Sequence, residues 1–368
     1  GHAPKGSSTM SRLLRTLVTI VFALLSLTAV PAFGASQRTF VKSTGLTANT
    51  AFNCSATKPC RAFSEAMSVT LSGGEVIVLD SAGYGTVTIA QSVSIIAPPG
   101  VYAGVTVAAG DGVTVNGAGI VVSLQGLTIN GTGGSNGISF TQGAELHVIN
   151  CSIANMATVG ISATATGATM FVSDTVVRDS ASQGILVTGS VTAIVERARI
   201  ENNGSAGIRA ADGPALSVRE SAVVNNLAGV AAAASTGTTT RVTLDNSLLT
   251  DHFGAGAIAT ATGAGSLATL DMIRSTSTRS TNGVGALSTA TAPAVAVMTV
   301  AASVLTENFG YGAFAQSNAT ALANGNTIAG NASAGPGSTL GGVVHTRSNN
   351  SGEQSLTTIG TVTAVPGF

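Results

Sequence analysis

From residue 137 onward the apolar positions come in short alternating runs that recur at a nearly constant interval. A Gly-apolar step stands at Gly137-Ile138, Gly160-Ile161, Gly184-Ile185, Gly207-Ile208 and Gly229-Val230, with the glycines 23, 24, 23 and 22 residues apart. A second apolar stretch follows each step, at Leu146–Val148, Met170–Val172, Ala193–Val195, Leu216–Val218 and Val242–Leu244. A third follows a short polar break, at Ile153, Val177, Ile200, Val223 and Leu249. Looser copies continue at Gly256-Ala257, Gly285-Ala286 and Gly312-Ala313, at spacings of 27, 29 and 27. Alternation with a period of two, in runs too short for a helix, predicts three strands per copy. One copy cannot bury its own apolar positions, whereas stacked copies share a continuous core, so the repeat predicts a solenoid. Three parallel sheets then surround a narrow interior, with coils ~4.8 Å apart. Val148, Val172, Val195, Val218 and Leu244 are expected to stack as one interior file. Gly and Asn suit the corners, where the backbone turns left-handed.

Upstream of the repeats, Phe63, Ala66 and Met67 fall at helical spacing. Gly73-Gly74 is expected to end this helix, and Glu75–Asp80 reads as the first strand. A helix here would cover the exposed end of the solenoid. The run Cys60-Arg-Ala-Phe-Ser-Glu-Ala, Gly73-Gly74-Glu-Val-Ile-Val-Leu, Gly83-Tyr84, Val87-Thr-Ile89 and Ser92-Val-Ser-Ile-Ile96 resembles the start of pectate-lyase-like proteins. The later repeats resemble the parallel β-helix repeat of that superfamily, and the likeness spans roughly residues 38–335. The resemblance implies an all-β fold, a right-handed single-stranded parallel β-helix with an N-terminal capping helix. It implies no single activity, because the superfamily holds lyases, hydrolases, esterases, phage tailspikes and proteins of no known activity.

The expected organisation is a non-native leader over 1–9, a signal peptide over 10–34, an N-terminal segment with the capping helix over 35–74, the β-helix over 75–334 and a tail or cap over 335–368. Arg12 and Arg15 precede an apolar run from Leu17 to Val30, and small residues Ala32 and Gly34 precede Ala35. That is the pattern of a signal peptide cleaved before Ala35, and the run is shorter than a membrane span, which needs about 20 apolar residues. The mature chain is expected to be secreted or periplasmic, with no transmembrane span. Export permits disulfides, and Cys54 and Cys60 enclose five residues that one bridge could close. Cys151 is left over and reads as a small, inert side chain. Lys+Arg and Asp+Glu both number 16 in the full chain. Removing Lys5, Arg12 and Arg15 leaves 13 basic against 16 acidic residues, a net charge near −3. Such a balance excludes a nucleic-acid partner held by a basic patch.

Candidate chemistry is sparse. The superfamily resemblance places catalysis on the outside of one sheet, taken here as the Gly-Ile strand. Its expected outward residues are Ser139, Ser162, Leu186, Arg209 and Ala231, of which Arg209 alone is chemically assertive. A calcium-dependent lyase needs several carboxylate oxygens around the cation and a strong base, and a hydrolase needs acids at a defined separation. Neither set is visible, so no catalytic residue, metal ligand or cofactor is assigned; calcium enters only with a lyase. The main polar constellation is a column at the end of the third strand: Asn155, Asp179, Asn202, Asn225, Asp251 and Glu307. It reads as a shallow groove for sugar hydroxyls, as two carboxylates holding calcium, or as an amide ladder that satisfies corner backbone groups. Glu196, Arg219 and Asp245, and likewise Arg178 and Glu201, occupy equivalent places in successive coils, where opposite charges favour register. Candidate binding residues are therefore Asp179, Asn202, Arg209, Asn225 and Asp251. The expected function is that of an exported, non-catalytic β-helix that binds a polysaccharide or cell-surface glycan or serves as a surface structural protein. The alternative is a divergent lyase of an acidic polysaccharide, with Arg209 as base.

Overall fold

Each coil repeats one construction. Glu145–Ile149, Ser152–Ala154 and Ile161–Ala163 are three strands of one turn, and Thr169–Ser173 begins the next beside Glu145–Ile149. A computed structural model describes residues 35–289, 294–347, 349–352 and 360–365. The expected leader, signal peptide and cleavage point before Ala35 lie outside the described residues. The strands form three parallel sheets. Sheet A has 14 strands and runs from Ser36–Val41 to Val362–Val365; sheets B and C have 11 each, B built from the short third stretches and C from the Gly-apolar steps. The protein is thus an all-β parallel β-helix.

Alternation decides which side chains go inside. In Thr169–Ser173, Met170 and Val172 are buried while Phe171 points out. Val148, Val172, Val195, Val218 and Leu244 are in direct register, and each is fully buried, so the expected interior file exists. Leu124 extends it on one side and Met272, Val300 and Ala323 on the other.

The recurring glycine has a packing cause. A Cβ on Gly137, Gly160, Gly184 or Gly256 would meet the carbonyl oxygen of the corresponding glycine one coil on at 2.6, 2.6, 2.7 and 2.8 Å. Backbone from the next coil therefore occupies the side-chain position, and any larger residue would force the coils apart. One expected member of this file is corrected. Register pairs Ala257 with Val284, so the glycine equivalent to Gly256 is Gly283, and Gly285 instead pairs with the outward Ile258.

Two corners turn on single residues in the left-handed region. Between sheets A and B stand Asn150, Asp174, Arg197, Glu220, Asn246 and Arg274, with φ of 51, 51, 47, 49, 46 and 47°. Between sheets B and C stand Asn155, Asp179, Asn202, Asn225, Asp251, Arg279 and Glu307, with φ from 48 to 62°. The bend costs no ladder bond: Asp179 N–H donates to the Glu201 carbonyl and Asn202 N–H to the Val224 carbonyl, both at 3.2 Å. The connection from sheet C back to sheet A varies in length instead. Between positions equivalent by register, the chain takes six steps from Ala163 to Thr169 and nine from Ala232 to Arg241.

The N-terminal helix spans Phe63–Met67, with Phe63, Ala66 and Met67 buried, and Glu65 Oε2 accepts from the Arg61 and Ala62 N–H groups. Gly73-Gly74 does not end it. The helix closes at Ser68, and both glycines lie inside the strand Thr70–Val78, where Gly74 fits closely against Gln37 and Leu71 carbonyls. Glu75–Asp80 is accordingly not the first strand, since Ser36–Val41 precedes it and pairs with it. Cys54 and Cys60 are joined in a disulfide with Cα atoms 4.9 Å apart. Past residue 334, Ala334–Thr339 continues sheet C, and Val343–Arg347 and Val362–Val365 continue sheet A.

Candidate functional site

The B–C corner brings together most of the residues singled out from sequence. Asn155, Asp179, Asn202, Asn225, Asp251 and Glu307 do form one axial column, one per coil except that Arg279 intervenes between Asp251 and Glu307. A left-handed backbone turns these side chains outward. Asn155 Nδ2 donates to Asn130 Oδ1 at 2.7 Å and Asn225 Nδ2 to Asn202 Oδ1 at 2.8 Å. Asp179 is paired with Arg178 of its own coil. Arg279 grips Asp251 with two bonds, Nε to Oδ1 at 2.8 Å and Nη2 to Oδ2 at 3.0 Å. That guanidinium is the main reason the Asp251 carboxyl is held below the usual carboxylate range.

The amide ladder exists, one residue further along and inside. Ser180 N–H donates to Asn203 Oδ1, Asn203 to Asn226 Oδ1, Asn226 to His252 Nδ1, His252 to Ser280 Oγ, Ser280 to Asn308 Oδ1 and Asn308 to Asn331 Oδ1, all between 2.9 and 3.3 Å. The A–B corner carries its own buried ladder: Ala198 N–H to Ser221 Oγ, Ser221 to Ser247, Ser247 to Ser275, and Ser275 to Ser303. Structural duty at both corners thus falls on buried residues, which leaves the outer column to solvent.

Beside that outer column runs a second file that sequence reasoning missed. Two residues beyond Asn225, Asp251 and Glu307 lie Leu227, Phe253 and Phe309, exposed to 52, 74 and 70%. Thr281 fills the same place in the coil between the two phenylalanines, and its N–H donates to the His252 carbonyl. Phe253 and Phe309 are two coils apart, ~10 Å along the axis. A ring this exposed gains nothing from the core, and its apolar face is free to pack against a ligand. The signal available in the sequence was the repeat register itself, read two places past the column.

Arg209 lies elsewhere. It is on the outer face of sheet C in one file with Ser139, Ser162, Leu186 and Ala231, as expected from the repeat. Its neighbouring charge is Asp212, whose carboxyl is lowered by hydrogen bonds from Ser235 and Thr238, against desolvation, and by the field of Arg209. Column and Arg209 are therefore on different faces of the coil.

A cleft of about 650 Å³ follows the A–B corner, lined by Asp174, Arg197, Arg199, Glu220, Asn246 and Arg274. Its cations are engaged: Arg197 with Asp174 and Glu196, Arg199 with Glu201, Arg274 with Asp245. Glu196 and Arg219 make the expected cross-coil pair at 3.3 Å, whereas Arg178 and Glu201, though in register, each pair within their own coil. On the outer face of sheet A, His147 stacks on Phe171 with ring centroids 4.8 Å apart and planes 11° apart. Those rings cover each other's facing sides. Cys151 is buried, and burial pushes its thiol up to about 11, consistent with an inert side chain. No cluster of three or more His, Cys, Asp or Glu able to hold a metal ion occurs among the described residues, and no helix among them is long and apolar enough to cross a membrane.

A family model described as right handed beta helix region matches residues 111–271. No curated protein matches the sequence. Among solved structures, the catalytic unit of a thermostable GH87 alpha-1,3-glucanase from Streptomyces thermodiastaticus is similar over 92% of this chain and 69% of its own, at 15% identity and a TM-score of 0.57. The periplasmic alginate epimerase AlgG is similar over 81% and 76%, at 12% identity and a TM-score of 0.56. The A-module of the Azotobacter vinelandii mannuronan C-5 epimerase AlgE6 is similar over 91% and 94%, at 13% identity and a TM-score of 0.50. At these identities the likeness is one of fold.

Proposed function

Because this chain is a right-handed parallel β-helix of the pectate-lyase-like kind, we propose that it is an exported, non-catalytic protein that binds a polysaccharide lengthwise along its B–C corner. The observation that carries the reading is the pairing of two files on one edge: exposed Phe253 and Phe309 beside Asn202, Asn225, Asp251 and Arg279. Carbohydrates present apolar C–H faces and hydroxyl edges together, and a site for them combines aromatic faces with amide, carboxylate and guanidinium partners. The axial arrangement suits a polymer, since one coil rise is close to the length of one sugar ring in an extended chain. The solved structures of like fold include enzymes whose names specify polysaccharides, which supports the ligand class. The signal-peptide pattern over 10–34 and the Cys54–Cys60 bridge support export.

Affinity electrophoresis in gels cast with different polysaccharides tests the reading. Retardation by at least one glycan, lost in Phe253→Ala/Phe309→Ala, is expected. Retardation that survives the double change removes this corner from the site. Release of unsaturated products from an acidic polysaccharide, abolished by Arg209→Ala, replaces the proposal with a lyase. N-terminal sequencing of the secreted protein is expected to begin near Ala35, and a mature chain that retains Met10 refutes cleavage.

A further inference from the structure

Resting on the reading that this chain binds glycans, we infer that its ligand is an uncharged polysaccharide and that Tyr311 and Phe314 form a sugar-stacking subsite on the outer face of sheet C. Both residues lie in the strand Tyr311–Gln316, directly after the exposed Phe309. Phe314 leans toward the preceding coil and Tyr311 toward the following one. Each ring comes down on a glycine: a Cβ on Gly285 would fall against the Phe314 ring, and a Cβ on Gly337 against the Tyr311 ring. Both glycines are buried and both rings remain partly exposed. The ring centroids are 6.3 Å apart with planes 30° apart. His147 and Phe171, by contrast, stack face to face and shield each other. Rings that rest on bare backbone keep one face toward solvent, and two such faces side by side make an apolar floor for sugar rings.

Charge decides the class of sugar. The sheet C strands of this region, Ala255–Ala261, Asn282–Ser288, Tyr311–Gln316 and Ala334–Thr339, hold no Asp, Glu, Lys or Arg. Beside the phenylalanine file the column sets one guanidinium, Arg279, against the carboxylates of Asp251 and Glu307. A polyuronate would meet net negative charge at the corner and nothing cationic on the face. The cation on sheet C, Arg209, is four coils from Phe314, ~19 Å away. Uncharged hydrogen-bonding groups are present: Thr260, Gln316 and Thr339 share one outward file with Leu287. An aromatic floor with amide and hydroxyl neighbours and no charge fits a neutral pyranose chain.

The chain has no Trp and three Tyr, of which Tyr84 is buried and Tyr102 lies near the opposite end of the solenoid. A change in tyrosine emission on binding at this site therefore reports on Tyr311. Soluble neutral oligosaccharides of glucan, xylan and mannan type are titrated alongside oligouronates, with calorimetry in parallel. Expected are binding of a neutral oligosaccharide, an emission change that disappears in Tyr311→Phe while affinity is kept, and a loss of affinity of about tenfold or more in Tyr311→Ala/Phe314→Ala. Gly337→Ala, which leaves every aromatic ring in place but displaces Tyr311, is expected to weaken binding as well. Circular dichroism of each variant confirms the β signal. Binding of oligouronates in place of neutral sugars overturns the uncharged class and leaves the glycan reading standing. Neutral binding unaffected by both Tyr311→Ala/Phe314→Ala and Gly337→Ala overturns the subsite. Binding of neither class overturns both readings.

Discussion

The backbone N–H of Asn226 donates to Nδ1 of His252, one coil on, at 3.2 Å, so an imidazole takes the place that the Asn226 amide holds one rung before. Accepting at Nδ1 puts the ring proton on Nε2, a buried atom with no hydrogen-bond partner. Burial pushes the His252 pKa from 6.5 down to about 4. A proton that the folded state refuses is taken up by the unfolded chain below about pH 6.5. Stability is therefore full above that pH and falls as the pH drops, by about 3 kcal/mol when pH 4 is reached. Asp251 titrates later, because Arg279 holds its carboxyl low. Urea unfolding from pH 7 to pH 4 is expected to show the loss, and His252→Asn to flatten it. Equal slopes in the two proteins would place the titration elsewhere.

Val195 sits at the centre of the interior file with no exposed surface. Val195→Asp puts a carboxylate where no donor can reach it, at a cost of several kcal/mol. A collapse of the melting temperature or of soluble yield is expected, and an unchanged melting curve contradicts the register of the file.

The Cys54–Cys60 loop is tied to the first strand, since Phe40 N–H donates to the Cys54 carbonyl and Phe40 O accepts from Cys60. Losing so short a crosslink costs about 2 kcal/mol by loop entropy. In Cys54→Ala/Cys60→Ala, hydrogen exchange is expected to quicken in Ser36–Val41 and stay slow in the central coils. Uniform acceleration through the solenoid would show that the bridge supports the whole fold.

Asp179→Asn with Asp251→Asn removes both carboxylates of the early column while Asn202 and Asn225 already occupy the same file. Each loses an exposed ion pair, worth about 0–1 kcal/mol. A small shift in the melting temperature is expected, and calcium calorimetry on wild type and variant is expected to show no stoichiometric uptake. Asp179 and Asp251 are three coils apart, ~14 Å, too far to share an ion. Uptake by the wild type alone would revive the lyase.

The interior file was readable because a solenoid core demands strict alternation, and Val172, Val195 and Val218 obey it. The ladders were not, because Asn203, His252 and Ser280 look in sequence like any polar corner residue. What sets them apart from Asn202 or Asp251 is one backbone step that turns one side chain outward and the next inward. Gly285 was misread as the packing glycine because Gly283 lies two places before it and both precede small apolar residues. The phenylalanine file escaped notice because Phe253 and Phe309 are coils apart and break no period. The seat of the Tyr311 ring leaves no mark in a hydropathy pattern either, because the residue under it, Gly337, is a bare Cα.

The variable connection from sheet C to sheet A has a further meaning. Residues added there lengthen the path of the chain around the outside but not the rise from one coil to the next. Distance along this molecule is therefore counted in turns and not in residues, as on a ruler whose graduations stay even while the numbers printed beside them do not. Anything lying along the axis meets evenly spaced marks from Asn155 to Glu307, whatever length of chain lies between one mark and the next.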